Sequence, residues 1–306
     1  MDQVFEKYYR ACYSRTGYIP TQPSGDNLYP GDFFQIRKGE LIVLGNIYMN
    51  NLVSSENCYL SEPNPLNSSA WSFYNGVSKP YSGRGTGENV FEGQFEYSRQ
   101  VLAFDSWGSF NFKGLNPESV RILNWNFLAD ELIIKLTQTN FSFRELYVVT
   151  ESATTTDWTL AIASSDKGEL EIATDSDNFG LVDIFGHPSS RTIQSKEIEF
   201  YNREEKRKPN FFKAKKLVVH ENQLEVFVND LINRRLGVYE WANEFYDYNF
   251  EYDPVSYSPH VSVNTQGSVL DMLQGNELNP NTALQYFKWT DAGQDDIDRL
   301  FEFYAA

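Results

Sequence analysis

Long apolar runs are missing from this chain of 306 residues, and no stretch approaches the roughly 20 apolar residues that a membrane-spanning helix requires. The opening residues, MDQVFEKYYRAC, mix acidic and basic side chains where a secretion signal runs basic then apolar, so residence in the cytoplasm is expected. Cysteine is scarce: Cys12 and Cys58 form no framework and are read as free thiols. The three histidines, His187, His220 and His260, stand far apart with no ligand-type neighbour three or four residues away, which reads as surface or structural use and not as metal ligation. GxSxG, HExxH, CxxC and Walker sequences are absent, so no catalytic residue, metal or cofactor is expected and the chain is read as not an enzyme. Positive charge is also short, with 26 Lys and Arg against 42 Asp and Glu, and the net charge of -16 argues against a nucleic-acid partner.

What is present is apolar and aromatic. A hydrophobic fraction of 41% and an aromatic fraction of 16% exclude a disordered chain, and the length suits one large domain with an appendage. The acidic excess is uneven: residues 236–306 hold 12 acidic and 2 basic side chains, a net of -10, which leaves a net of -6 for residues 1–235. Asp230 to Gly237, DLINRRLG, marks the boundary between a body and an acidic, aromatic tail.

The most informative stretch is ELYVVTESATTTDWTLAIA, Glu145 to Ala163. Its alternation of β-branched and aromatic residues, broken by a polar Thr-rich step, predicts two strands joined as a hairpin at the centre of the sheet. Asp2 is placed to cap a helix whose face carries Val4 or Phe5, Tyr8 and Cys12, with Gly17 ending it. DFFQIRK and LIVLGNIY read as strands closed on Gly39 and Glu40. SGRGTG, within Asn50 to Asn89, lacks the Lys-Ser/Thr ending of a phosphate loop and reads as an ordinary flexible loop. Phe91 to Lys113 alternates as strand with a bend at Gly108, Pro117 to Asn126 reads as a helical turn or two, and LIIKLTQT, Leu132 to Thr139, reads as a strand. Further strands are expected at Glu169 to Thr174, Phe179 to Phe185, Lys196 to Tyr201, Leu217 to His220 and Gln223 to Val228, with tail helices at Ser268 to Asn276 and Asp291 to Tyr304.

Between Arg203 and Lys216 lie seven basic residues against two acidic ones, the strongly positive stretch of the sequence: Arg203, Lys206, Arg207, Lys208, Lys213, Lys215 and Lys216. One reading is a solvated loop whose charges balance neighbouring acids. The other is a contact for anionic lipid headgroups, with Phe211 and Phe212 as apolar anchors. Arg234 and Arg235 are either a polar linker pair or an exposed dibasic step open to a protease.

Three stretches resemble the gasdermin amino-terminal, pore-forming module, in the same order. They are the opening helix, proline-marked loop and strand pair of YIPTQPSGDNLYPGDFFQIRKGELIVLGNIY, the LYVVTES strand with its Thr-rich turn, and IEFYNREEKRKPNFFKAKKLVVHENQLEVFV. The resemblance implies an α+β fold, a twisted and mostly antiparallel sheet with flanking helices, kept inactive by a short carboxyl-terminal segment. It divides the chain into a pore-forming module, residues 1–235, and an autoinhibitory tail, residues 236–306. Proteolysis would release the tail, and the monomer would oligomerise at the cell membrane. Two regions, roughly Ser54 to Lys113 and Thr156 to Phe200, would become membrane-spanning β-hairpins, with cell death, as in defence against phage, the outcome. The partners implied are membrane lipids, an activating protease and further copies of the chain. A cysteine near the amino terminus is a lipidation site in bacterial gasdermins, which sets acylation of Cys12 beside its plainer reading as a small buried residue. From other classes, the Trp, Tyr and carboxylate content also suits a β-sandwich that binds or hydrolyses carbohydrate, or a structural or assembly protein.

Overall fold

A computed structural model describes residues 2–23, 25–89, 93–136, 146–175, 183–220 and 280–301. In chain order the elements are α1 (Glu6–Thr16), β1 (Ile19–Pro20), β2 (Asp32–Arg37), β3 (Glu40–Asn46), β4 (Asn64–Pro65), β5 (Ser72–Asn75), β6 (Val77–Asn89), β7 (Gly93–Phe104) and β8 (Phe110–Leu115). There follow β9 (Glu118–Arg121), α2 (Trp125–Leu136), β10 (Leu146–Thr154), β11 (Asp157–Ala163), β12 (Glu169–Asp175), β13 (Arg191–Lys196), β14 (Ile198–Glu204) and β15 (Phe211–Val219). Near the carboxyl end come α3 (Pro280–Tyr286), β16 (Phe287–Asp291) and α4 (Gln294–Arg299). The fold is α+β, with antiparallel strand pairs and a few helices, as expected.

The largest sheet, the platform, runs β1-β15-β10-β2-β3, with β16 on β15 and β9 on β10. Strand β10 is its centre, and Leu146, Tyr147, Val148 and Val149 are all fully buried. Successive side chains of a strand point to opposite faces. Tyr147 and Val149 therefore enter a core with α1 and the aromatic side chains Phe34, Phe110, Phe112 and Trp158, while Leu146 and Val148 enter a second core with Leu128, Leu132 and Leu136 of α2. The Phe34 and Tyr147 rings stack at 5.0 Å, which locks β2 beside β10. Sheet positions buried on both faces select a near-continuous apolar run.

The opening helix forms as its capping residues require. Asp2 accepts a hydrogen bond from the Val4 N–H at 3.4 Å, and Gly17 takes the left-handed φ of 75° that ends the helix. Val4, Phe5, Tyr8, Tyr9 and Cys12 are buried. The β2–β3 turn falls on Lys38 and Gly39, one residue earlier than expected, with φ of 49° and 77°; a two-residue turn of this hand needs positive φ at both positions, and glycine supplies one of them cheaply.

Four expectations are corrected. Strands β10 and β11 are not a hairpin, since β10 pairs with β15, β2 and β9 while β11 pairs with β8 and β14. Alternation identifies a strand and says nothing about its partner. Leu132 to Leu136 belongs to helix α2, where Leu128, Leu132 and Leu136 recur every four residues on the buried face; a short apolar run carries no period that separates helix from strand. Pro117 to Asn126 holds strand β9 before α2 begins. SGRGTG lies inside β6, paired from Ser82 to Gly87 with the partner strand β7, because an edge strand needs only its backbone to make a ladder. The expected Gln223 to Val228 strand and Ser268 to Asn276 helix lie outside the described residues, as do Arg234, Arg235, His260 and Tyr304.

The two adjacent tyrosines of α1 give a stability test. The Tyr9 hydroxyl donates to the Gln22 carbonyl at 2.6 Å, whereas the buried Tyr8 hydroxyl has no hydrogen-bond partner among the described residues. Removing a partner from a buried carbonyl costs about 1–3 kcal/mol, while removing an unpaired hydroxyl is near neutral or favourable. Tyr9→Phe is expected to lower the urea midpoint, and Tyr8→Phe to leave it unchanged or raise it.

Candidate functional site

Beyond the platform lie two further four-stranded sheets with a shared plan. The middle sheet runs β14-β11-β8-β5 and the outer sheet runs β13-β12-β7-β6. Each strand of one leads directly into the corresponding strand of the other: β5 into β6, β7 into β8, β11 into β12 and β13 into β14. The two sheets are thus halves of one ribbon, broken along a line of four bends at Gly76, Asp105 to Ser109, Ser164 to Gly168, and Glu197. Gly76, Gly108 and Glu197 carry positive φ of 63°, 73° and 50°.

The bends are bonded to one another across the ribbon. Asp105 N–H donates to the Gly76 carbonyl at 3.0 Å, Gly108 N–H to Ala163 at 2.9 Å, and Ser164 N–H to Glu197 at 3.0 Å. The Asp105 carboxylate accepts from Ser109 at 2.8 Å and from Ser106 at 3.1 Å, hydrogen bonds that hold it below the usual carboxylate range. A Cβ at Gly76 would collide with Asp105 and Ser109, so the close approach requires glycine there. From α1, Lys7 reaches this bend and donates to the Trp107 carbonyl at 2.7 Å.

The outer sheet consists of two hairpins side by side, β6–β7 and β12–β13, joined through β7 and β12. They fall within the two regions that the sequence resemblance marked. Its inner face buries Leu102, Phe104, Leu170 and Ile172 against Ala161, Ala163, Ile184 and Phe185, and all six residues of β13 are exposed. Both edge strands, β6 and β13, pair on one side only among the described residues.

The basic stretch is spread over β14, a loop and β15, and acids balance it. Arg203 forks onto Asp157 with contacts of 2.7 to 3.3 Å, Arg207 meets Glu118, Lys208 meets Glu204 at 2.6 Å, and Lys213 meets Glu151 at 3.1 Å. Lys206 is exposed. Phe211 and Phe212 are 0% and 1% exposed and belong to the aromatic core, so in this conformation they are not surface anchors. Alternating periodicity could have suggested this, because FFKAK is a strand pattern as well as a basic run. Cys12 is also fully buried, and burial pushes its thiol up to about 12, so acylation would require α1 to lift away from its core.

Lys215 and Lys216 point to the carboxyl-terminal residues. Strand β16 pairs with β15 from Lys215–Asp291 to Val219–Phe287, and Ile297 of α4 with Leu300 and Phe301 just after it enters the core beside Tyr9. Lys215 meets Asp291 at 2.7 Å, Arg10 meets Asp298 at 3.0 Å, and Trp289 donates to the Ala129 carbonyl at 2.9 Å. The densest contact is Asp296, which accepts from Lys216 at 2.7 Å, from the Tyr147 hydroxyl at 2.7 Å and from the Gly293 N–H at 2.9 Å. Burial pushes this carboxyl toward its neutral form, yet the Lys216 ammonium and the two hydrogen bonds outweigh it and hold the pKa below the ordinary value. Residues 280–301 therefore form a clip along one edge of the platform. Of the helix expected from Asp291 to Tyr304, Asp291 ends β16 and α4 covers Gln294–Arg299, while residues 302–304 lie outside the described residues.

The fold defines the chain as an α+β protein with a bent, twin-hairpin sheet beside its platform. No family model matches the sequence, and no curated protein does. Among solved structures, the chain is similar to the gasdermin A3 membrane pore, with 14% identity over 71% of this chain and 90% of that one and a TM-score of 0.30. It is similar as well to a bacterial gasdermin from Bradyrhizobium tropiciagri, with 11% identity over 69% of this chain and 86% of that one and a TM-score of 0.32. Both of these structures are gasdermins.

The Asp296 contact sets a pH test. A carboxylate whose pKa is depressed by folding adds stability that is complete above the unfolded value, about 3.9, and disappears as pH falls through the folded value. Asp296→Asn, which leaves Lys216 without its carboxylate, is expected to cost about 3 kcal/mol at pH 7 and less below pH ~3.5. Urea unfolding at the two pH values measures both.

Proposed function

We propose that this chain is an autoinhibited pore-forming protein: a cytoplasmic monomer whose carboxyl-terminal clip is released by proteolysis, after which it oligomerises and perforates the cell membrane. The observation that carries this reading is the ribbon with its line of bends. Two adjacent hairpins fold back on a middle sheet whose strands continue directly into theirs, so straightening the bends lengthens four strands without changing which are neighbours, and the central pair, β7–β8 beside β12–β11, keeps one register across the line. Strands β6 and β7, of 13 and 12 residues, already exceed the about 9–11 residues of a membrane-crossing strand. A closed barrel satisfies every backbone group in lipid, and the two edge strands of the outer sheet supply the lateral contacts from which copies of the chain would close one.

The clip supports the inhibitory half of the reading. It occupies two cations of the basic stretch, Lys215 and Lys216, and places Asp291, Asp295, Asp296 and Asp298 on the same side. Its removal would leave those lysines for anionic headgroups, at about 1 kcal/mol each near the surface, and would take away acids that the bilayer repels. Because the clip is held by a five-residue strand and a buried helix face, cutting the connection between His220 and Pro280, Arg234–Arg235 included, frees it only once these contacts dissociate. Death of the cell that holds the protein, a response suited to defence against phage, would follow from the pore.

The test is dye release from vesicles containing phosphatidylserine or cardiolipin, using a variant with a specific protease site inserted after Arg235. Leakage is expected after cutting and not before, with phosphatidylcholine vesicles leaking less. Cut protein that leaves every vesicle intact would overturn the reading.

A further inference from the structure

Of the connection between β12 and β13, residues 183–190 are described. They return beneath the outer sheet as a strap and insert Ile184 and Phe185, 3% and 1% exposed, between the outer and middle sheets. Two cations of the middle sheet grip the strap's backbone. Lys113 Nζ donates to the Phe185 carbonyl at 2.9 Å, and Arg203 Nη1 donates to the Pro188 carbonyl at 2.6 Å while its other nitrogens hold Asp157. From the outer sheet's side Lys79 pairs with Asp183 at 2.7 Å, and Thr174 and Ser189 share a hydroxyl contact.

The strap also covers an imperfect surface. Asn111 Nδ2 and Thr159 Oγ1 are buried without hydrogen-bond partners among the described residues, on the same face of the middle sheet as Lys113. Thr159 lies directly beneath Gly186, where an added Cβ would be 3.4 Å from its hydroxyl. Unpaired buried polar groups favour opening, since water would satisfy them. The covered state is thus held by the two cations against a local cost.

The two hairpins differ in length. β12 and β13 have 7 and 6 residues and their pairing stops at Ala173–Arg191, short of the about 9–11 needed to cross a bilayer. Each further pair withdraws one residue from the strap, first Ser190, then Ser189, then Pro188, whose carbonyl Arg203 holds.

We infer that residues 183–190, gripped by Lys113 and Arg203, are a catch that keeps the second hairpin short, so that releasing the clip does not suffice and the strap must also leave the middle sheet before the hairpin can lengthen. This rests on the pore-forming reading for its consequence but not for its contacts. A charge-assisted hydrogen bond lost from the closed state raises the open population by about tenfold or more.

Two variants test it. Lys113→Met keeps the aliphatic stem and removes the donor. The double variant Lys113→Cys/Gly186→Cys ties the strap down, since the Cβ built at Gly186 lies 3.5 Å from that of Lys113, within disulfide range. In the intact soluble protein, Lys113→Met is expected to speed amide exchange in β12 and β13 by about tenfold and leave β2 and β10 unchanged. The oxidised double variant, cut after Arg235, is expected to release no dye until a reductant is added. Unchanged exchange in Lys113→Met, or leakage from the oxidised variant at the rate of the cut parent, would overturn the catch. If the cut parent itself never leaks, the pore-forming reading falls, and the exchange measurement alone decides whether the strap is a catch.

Discussion

The double-sided burial of β10 is the constraint from which the rest of the molecule follows. Four successive residues, Leu146 to Val149, are sealed from water, two facing each core, and burying such side chains contributes about 1.5–3 kcal/mol apiece. That strand has β15 along one side and β2 and β9 along the other, so both of its edges are used. β15 in turn offers its far edge to β1 at one end and β16 at the other. A shift of register in β10 would exchange the two cores and undo the aromatic stack of Tyr147 on Phe34.

Beside this platform the ribbon of middle and outer sheets is organised by its bends. Every strand of the ribbon turns at one line, and side-chain bonds hold the turn and the strap beside it: Lys7 to the Trp107 carbonyl, Asp105 to two serines, Lys113 and Arg203 to the strap. Positive φ at Glu197, a residue without glycine's freedom, adds strain at the bend between β13 and β14. Ladders on both sides of the line keep the same strand order, so the bends change the direction of the strands and not which strands are neighbours.

Much of the platform could be read from the sequence, because the features that set it are local. Asp2 and Gly17 delimit α1, Gly39 marks the first hairpin, and the apolar run of β10 announces a strand covered on both faces. What could not be read depends on partners distant in the chain. β10 and β11 look like a hairpin because only two residues separate them, yet every rung of their ladders joins residues 30 or more positions apart, from Glu151 and Arg121 (151 less 121) upward. The same holds for the candidate site. Charge density drew attention to Arg203 through Lys216, but whether a given cation faces a bilayer, a strap carbonyl or an aspartate depends on which strand lies opposite, and Lys113, isolated in a strand of phenylalanines, carries no signal at all.

Strand β16 has one more effect, which concerns the molecule at rest. Exposed sheet margins invite other strands to pair with them, and proteins shield such margins with charge, irregularity or a covering segment. On β15 the stretch from Lys215 to Val219 is shielded by the chain's own late residues, with an acid set opposite a lysine at its first rung. A carboxyl-terminal truncation that ends before Phe287 would leave this margin bare, and the shortened protein would be prone to stick to itself in solution even with no membrane present.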